Sequence, residues 1–217
     1  MKSVGGRTLA LALALLPACL ATPPDAVGEE VVVDLGCPSA GSLADEFEEE
    51  KSDVWEEFGI DDCELRVAGR LEVDSAASCG LATAGCYDMT DRWIEVDAVV
   101  TGPGLVFAIH LNDFGDDLIV WVNGEDELAM AHVDPAGESR TLTALPFDPE
   151  VHQLWRVLHS ASENRVTFET ARRATRSWAR LAELFLDGVS LHQVQVRLGA
   201  SGSDGMVAFD SVRGVDL

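Results

Sequence analysis

Short hydrophobic runs alternate with turn-forming clusters along the chain from residue 63 onward. Runs such as LVFAIHL, DLIVWV and LHQVQVRLG are rich in β-branched and aliphatic residues, and clusters such as TGPG, VNGED and GASGSDG separate them. Repeated short strands with turns between them are typical of antiparallel sandwiches and jelly rolls. The pattern therefore predicts an all-β fold, with neither an internal repeat nor helical heptads.

Two stretches show a helical periodicity instead. SLADEFEEEKSDVW, residues 42–55, starts with a serine followed three residues later by an acid, and it spaces Leu43, Phe47 and Trp55 at near-helical intervals. SWARLAELFLDG, residues 177–188, places its apolar side chains on one face of a helix. Local propensity alone predicts a helix in both stretches.

The first 36 residues differ from the rest of the chain. Lys2 and Arg7 precede the apolar block LALALLPA, which ends in LPAC at Cys19. This order predicts a secretory signal peptide over residues 1–18, because the apolar part is too short for a stable membrane span. Residues 19–36, with prolines and acids, are predicted to be a tether, and residues 37–217 have the length of one all-β domain.

The residues around Cys19 resemble a bacterial lipoprotein box. The resemblance implies cleavage before Cys19, lipid on its thiol, and acylation of the new amino group with a fatty acid such as palmitate. Leu20 rather than Asp follows the cysteine, which by analogy with other Gram-negative lipoproteins implies the outer membrane. The alternative is an ordinary cleavage site that precedes a cysteine by chance.

The charge of the chain limits its partners. It has 38 acidic and 15 basic residues, a net charge of −23, and removal of residues 1–18 leaves 13 basic residues and a net charge of −25. Such a charge repels nucleic acid and anionic membrane surfaces, so the membrane contact is predicted to go through the lipid anchor.

Four cysteines remain when Cys19 is set aside. An even number in an exported chain predicts two disulfides, and four cysteines allow three connectivities. The six residues between Cys79 and Cys86 suit a short local loop, which leaves Cys37 to pair with Cys63. A zinc site is a poor alternative, because none of the spacings is C-x-x-C.

Segments from the beginning, middle and end of the chain resemble bacterial concanavalin A-like lectin/glucanase domains. The shared marks are a D-x-F-type opening at 45–47, GRL at 69–71, YDMT at 87–90, LWRV at 154–157, FET at 168–170 and FDSV at 209–212. The resemblance implies a jelly roll of two antiparallel sheets, one of them concave and often used for glycans. It also implies that both stretches with helical periodicity are extended. The loop TARRATRSW departs from the family, because it lacks the Asp-Gly turn common before the tryptophan.

The predicted strand DRWIEVDAVV, residues 91–100, carries the candidate chemistry. Alternation along a strand places Trp93, Glu95 and Asp97 on one face. In the glucanases that this strand resembles, an E-x-D-x-x-E signature supplies the nucleophile, an assisting acid and the general acid. Glu95 and Asp97 match the first two positions, but Val100 replaces the general acid, whose contribution is about 10²–10⁴-fold. The pattern therefore predicts a protein that is not an enzyme.

The predicted function is that of a non-catalytic envelope lipoprotein that binds glycans or another envelope component. Trp93, Glu95 and Asp97 are the predicted ligand-binding residues, since sugar hydroxyls can donate hydrogen bonds to carboxylates. Two alternatives stay open: a degenerate or unrecognised glycoside hydrolase, and a structural envelope protein with a protein partner. Five arginines between residues 165 and 180 either recognise phosphate or carboxylate groups or neutralise nearby acids.

Two places offer oxygen ligands for a structural calcium ion, and no other cofactor is predicted. Asp45 and Asp210 come together if the first and last strands pair, as they do in many related sandwiches that bind an ion there. The NDFGDD loop, residues 112–117, supplies further carboxylates. Neither place has a full ligand set in the sequence, and the sequence predicts neither the ligand nor the oligomeric state.

Overall fold

The structure is a computed structural model that describes most of the chain after residue 41. The described residues are 42–48, 53–59, 63–74, 78–99, 103–111, 115–186, 191–201 and 206–216. The predicted signal peptide, the tether with Cys19, the residues Cys37 and Val100, and part of the NDFGDD loop lie outside these ranges. Their roles, and the predicted division of the chain, therefore stay predictions.

The described residues form two antiparallel sheets. Sheet I contains β1 (Ala44–Asp45), β3 (Glu64–Val67), β4 (Leu71–Asp74), β6 (Arg92–Val99), β11 (Leu154–Ser160), β12 (Arg165–Ala171), β13 (Ala179–Phe185) and β15 (Met206–Asp216). Sheet II contains β2 (Trp55–Phe58), β5 (Cys79–Thr83), β7 (Leu105–Leu111), β8 (Asp116–Val122), β9 (Glu127–Val133), β10 (Ser139–Pro146) and β14 (Val194–Ala200). One short 3₁₀ helix, Ala161–Glu163, connects β11 to β12.

The strand order is that of a jelly-roll sandwich. Sheet I runs β13-β12-β11-β6-β15-β4-β3, with β1 also paired to β15, and sheet II runs β10-β9-β8-β7-β14-β5-β2. The predicted all-β fold is confirmed. None of the described residues belongs to a helix with the length and hydrophobicity of a transmembrane segment.

Period-two alternation places one face of each central strand in the core. In β8, Leu118, Val120 and Val122 are buried, whereas Ile119 and Trp121 between them are partly exposed. Bulky side chains from both sheets fill the space between them, as expected for face-to-face packing. The largest buried side chains are Trp155, Phe47, Phe107, Phe168 and Phe209.

Neither stretch with helical periodicity is helical where the structure describes it, as the family resemblance implies. Trp178 is followed by the strand β13, which pairs with β12. The register between these strands shifts after Phe168, so that Leu181 is an extra residue. This bulge interrupts the alternation of β13 and produces an apolar spacing that imitates a helix. In the earlier stretch, the extended segments around β1 and β2 bury Phe47 and Trp55 against each other, with ring centroids 5.8 Å apart.

The predicted disulfide pairings are wrong. Cys63 bonds to Cys79 with a Cα–Cα distance of 6.1 Å, which excludes both Cys37–Cys63 and Cys79–Cys86. Cys86 is also disulfide-bonded. The short spacing from Cys79 to Cys86 is misleading because β5 extends the chain by about 13 Å, more than a disulfide spans. The observed bond instead joins the start of β5 in sheet II to the residue before β3 in sheet I.

Candidate functional site

Strand β6 presents Trp93, Glu95 and Asp97 on the outer face of sheet I. The intervening residues Ile94 and Val96 are buried in the core, so alternation turns the other three outward. The two acids are nevertheless much less exposed than carboxylates on an open sheet surface would be. The side chain of Glu95 is only 5% exposed and that of Asp97 is 14% exposed, because arginines cover both carboxylates.

Opposite charges alternate across five strands of sheet I at the level of Glu95. The register places Arg156 of β11 and Arg213 of β15 on either side of Glu95. Glu169 of β12 lies opposite Arg156, and Arg180 of β13 lies opposite Glu169. We call these five residues the charge row. Directly opposed residues of opposite charge stabilise a sheet, typically by about 0.2–1 kcal/mol per pair.

Two arginines hold the Glu95 carboxylate. Arg213 donates a hydrogen bond from Nη2 to Glu95 Oε1 over 2.8 Å. Arg176, from the loop between β12 and β13, places Nη1 3.2 Å from the same oxygen. The carboxylate is buried and compensated by two guanidinium groups, so it is not free to attack a substrate.

Asp97 is covered by another residue of the same loop. Arg173 donates from Nε to Asp97 Oδ2 over 2.8 Å and also contacts Oδ1 with Nη2. The same Nη2 lies 3.1 Å from Asp210 Oδ2. The hydrogen bond with Asp97 raises the pKa of Arg173. Burial, together with the neighbouring charge of Asp97, raises the pKa of Asp210. Arg173 therefore joins two carboxylates on adjacent strands.

Two tryptophans lie beside the charge row. Arg156 donates from Nε and Nη2 to Glu169 Oε2, over 2.8 and 2.5 Å. Its guanidinium carbon lies 3.9 Å from the ring centroid of Trp178 and 5.7 Å from that of Trp93. Arg213 approaches Trp93 at 5.6 Å. These are cation–π distances, and each such contact contributes about 0.5–2 kcal/mol.

The loop from residue 172 to 178 carries the residues that cover the strand. It turns on a hydrogen bond from the backbone N–H of Arg176 to the carbonyl of Arg172, and Arg176 itself has a left-handed φ of 50°. Arg173 is anchored by a hydrogen bond from its backbone N–H to Gln153. This is the loop in which the chain departs from the family pattern. Sequence reasoning identified its arginines but not their position over β6.

Four of the five arginines between residues 165 and 180 contact carboxylates. Arg165 bonds to Glu163 and Glu183, and Arg180 bonds to Glu183. Arg173 and Arg176 are paired as described above. Neutralisation of nearby acids, one of the two readings of these arginines, therefore applies to these four. Arg172 is exposed and makes no side-chain contact of this kind with any described residue.

A cleft of about 450 Å³ lies next to Trp93. Its lining includes Tyr87, Asp88, Arg92 and Val215 in addition to Trp93. Val215 is exposed, and Asp88 accepts hydrogen bonds from Thr90. The cleft combines an aromatic ring, an apolar side chain and charged groups, which is the usual mixture in a small-molecule site.

The predicted calcium ligands do not form an oxygen cage. β1 pairs with β15, so that Asp45 lies opposite Val212. Asp45 accepts hydrogen bonds from Trp55 Nε1 over 2.8 Å and from the Phe47 backbone N–H over 2.7 Å, while Asp210 contacts Arg173. Both carboxylates thus accept hydrogen bonds from N–H donors, and the register does not place them opposite each other.

In the second calcium candidate, the NDFGDD loop, the described carboxylates also contact basic side chains. Asp116 contacts His132, and Asp117 contacts His110 and Arg197. Among the residues that the structure describes, no group of three or more His, Cys, Asp or Glu side chains could hold a metal ion. Calcium binding stays a prediction, without a ligand set in the described residues.

Comparison with solved structures supports the fold. A prokaryotic β-1,3-1,4-glucanase (lichenase) from a mouse hindgut metagenome is similar at 12% identity and a TM-score of 0.56, covering 81% of this chain and 99% of that one. The Crh5 transglycosylase in complex with NAG is similar at 14% identity and a TM-score of 0.59, covering 83% and 86%.

Lectins are found among the similar structures as well. The exoplasmic/lumenal domain of VIP36, bound to Ca²⁺ and Man3GlcNAc, has 11% identity and a TM-score of 0.53, covering 76% of this chain and 84% of that one. No protein-family model matches the chain, and neither does any curated protein. At these identities the likeness shows the fold, and it confirms the resemblance to concanavalin A-like lectins and glucanases.

Proposed function

Because the chain has a fold that lectins, glucanases and transglycosylases share, we propose that it is a non-catalytic glycan-binding protein. The observation that carries the proposal is the state of Glu95, the residue at the nucleophile position of the glucanase signature. Its carboxylate is almost fully buried and held by Arg213 and Arg176. The similar structures include proteins with NAG or mannose-containing ligands, which supports a carbohydrate ligand here.

The arrangement is unsuited to glycoside hydrolysis for two reasons. A retaining glycosidase needs a nucleophilic carboxylate and a general acid roughly 5 Å apart, both in contact with the sugar. Glu95 is covered by guanidinium groups, and Val100 stands at the position of the acid in the signature. Transferring a proton to the leaving oxygen would need another residue.

Glycan binding requires neither a nucleophile nor a general acid. It requires a surface for the sugar ring and hydrogen-bond partners for its hydroxyls, and the surface beside β6 has both. Trp93 is partly exposed and borders the cleft that also contains Asp88 and Arg92. An aromatic ring supplies a flat apolar surface for a sugar, and the charged groups supply hydrogen-bond partners for hydroxyls. The ring is fixed by Arg156 and Arg213, which reduces the entropy lost when a ligand stacks on it.

The binding proposal is tested by presenting the mature domain to a glycan array and to insoluble polysaccharides. We expect Trp93→Ala to weaken binding about tenfold or more, as the loss of a stacked aromatic anchor does. Trp121→Ala is the matched control, because Trp121 is a partly exposed tryptophan on sheet II. Repeating the assay with a chelator tests the calcium prediction. Equal loss of binding in both variants would contradict the assignment to Trp93.

The enzyme alternative is tested by incubating the protein with β-glucans and measuring released reducing ends. We expect no release above background. Release that is lost in Glu95→Gln would overturn the proposal in favour of a glycoside hydrolase.

We place the protein, as part of the same proposal, in the cell envelope through a lipid on Cys19. The support is the order of charged, apolar and small residues that ends in LPAC. Labelled palmitate should be incorporated by the full-length chain and not by Cys19→Ala. A wild-type chain that is exported without label would instead have an ordinary cleavage site.

A further inference from the structure

A groove of about 260 Å³ lies beside the loop that connects β12 and β13. Its lining is mostly apolar, with Ala171, Ala179 and Leu181 among the contributing residues, and Thr175 and Ser177 contribute to it as well. Arg172 also lines it. The volume is below the range of about 300–1,000 Å³ that is usual for drug-sized ligands, and it suits a single ring or the end of a chain.

Arg172 is unusual in this protein because its guanidinium group contacts no carboxylate in the described part of the chain. Acidic residues outnumber basic ones by 38 to 15, so most described arginines have an acid nearby and pair with it. Arg140 of β10 is likewise without such a contact among these residues, but it is exposed and lines neither the groove nor the cleft beside Trp93. An unpaired guanidinium next to a groove is available to an anionic ligand group, with which it forms bidentate hydrogen bonds.

Arg172 belongs to a loop that is rich in arginine. Arg173 and Arg176 follow within the same loop, and both are nearly half exposed, at 45% and 49%. Two of their carboxylate partners, Asp97 and Glu95, are covered strand residues, so guanidinium atoms form much of the surface above them. The Debye length is about 8 Å at physiological ionic strength, so the many acids elsewhere on the molecule are screened from a ligand in the groove.

His152 is buried and also lines the groove. Its Nδ1 accepts a hydrogen bond from the Asp148 backbone N–H over 3.0 Å, which leaves the proton of the neutral ring on Nε2. Burial lowers the pKa of His152, so the ring is neutral at physiological pH. The residues that line the groove therefore include one arginine, one neutral histidine and two hydroxyl-bearing residues, and its surface is mostly apolar.

We propose that this groove binds a carboxylate-bearing sugar, a uronic acid residue, with Arg172 holding the carboxylate and the apolar floor contacting the ring. The inference rests on the proposed glycan-binding function and specifies the class of glycan. It predicts that the protein prefers acidic glycans over their neutral counterparts although its own net charge is strongly negative.

The test compares uronic acid oligosaccharides of several linkages with the same oligosaccharides after methyl esterification of their carboxylates, at 0.15 M salt. We expect the acidic form to bind at least about tenfold more tightly, consistent with a charged hydrogen-bond pair. Arg172→Gln should reduce the affinity for the acidic form to the affinity for the ester. Arg140→Gln should leave the preference unchanged, and both exposed variants should keep the melting temperature of the wild type.

The outcomes separate the two proposals. If neutral and acidic forms bind with equal affinity, or if the preference survives Arg172→Gln, the uronic acid proposal for the groove is wrong. The proposal of glycan binding then still stands. An equal effect of Arg140→Gln also overturns the uronic acid proposal, because the preference would then be a general charge effect. Failure of every neutral and acidic glycan to bind overturns the groove and the proposed function together.

Discussion

Glu95 shows how the meaning of a single residue depends on its neighbours. In the sequence it is the first carboxylate of a glycosidase-like pattern, and in the structure it is the centre of the charge row. Its side chain is almost fully buried, and its Oε1 atom faces Arg213 and Arg176. A buried carboxylate without such partners would be costly, so these contacts offset the cost of burying Glu95.

We predict that Glu95→Gln lowers the free energy of unfolding by about 1–3 kcal/mol, the cost of losing hydrogen bonds to charged groups. The two arginines are partly exposed and can turn to water, which keeps the loss below that of a fully buried ion pair. Urea unfolding followed by tryptophan fluorescence measures the change. Glu125→Gln is the control, since Glu125 is exposed. Equal stability of both variants would mean that the charge row does not stabilise the fold.

At the scale of elements, the disulfide Cys63–Cys79 links the two sheets near their edges. Its sequence separation of 16 residues encloses β3 and β4. These strands lie at the edge of sheet I, where only β4 contacts the rest of the sheet. The bond therefore restricts a part of the sandwich that has few strand pairings of its own.

We expect the double variant Cys63→Ala/Cys79→Ala to lose about 3 kcal/mol of stability, the value expected for a closed loop of this size. The double variant avoids a free thiol that would exchange with the disulfide of Cys86. Thermal unfolding under oxidising conditions measures the loss against the oxidised wild type, because reduction would also break the disulfide of Cys86. A double variant as stable as the oxidised wild type would contradict a stabilising role.

At the scale of the whole molecule, we expect two buried histidines to make the stability depend on pH. Burial lowers the pKa of both His152 and His159, so the folded protein keeps them neutral. The unfolded chain takes up a proton on each near their ordinary pKa of about 6.5. Their contribution to stability is complete above that pH and is lost as the pH falls from 6.5 towards the lower pKa values of the folded state.

His159→Gln should therefore make the stability less dependent on pH between 7.5 and 5.5. Gln retains a donor for the Met89 backbone, with which His159 forms a hydrogen bond, but it does not titrate. Urea unfolding at three pH values measures the slope. His192→Gln is the control, because the side chain of His192 is 64% exposed. A slope unchanged by His159→Gln would show that the buried ring is not the group that titrates.

The sequence was most informative where structure depends on local pattern. Alternation along the strands and the order of the family-like segments predicted the two-sheet fold. Local pattern was misleading at β13, where the bulge at Leu181 imitates helical spacing, and at Cys79, where an extended strand separates two cysteines that are close in sequence.

In the candidate site, too, one feature depends on local pattern and another on tertiary structure. Its position on one face of β6 follows from the alternation of Trp93, Glu95 and Asp97, which the sequence determines by itself. The cover over these residues depends on which strands are neighbours and on where the loop from 172 to 178 folds. Arg213 lies 118 residues from Glu95, and no periodicity within one strand encodes such a pairing. Only the tertiary structure, by bringing distant strands into register, decided that these acids are neutralised.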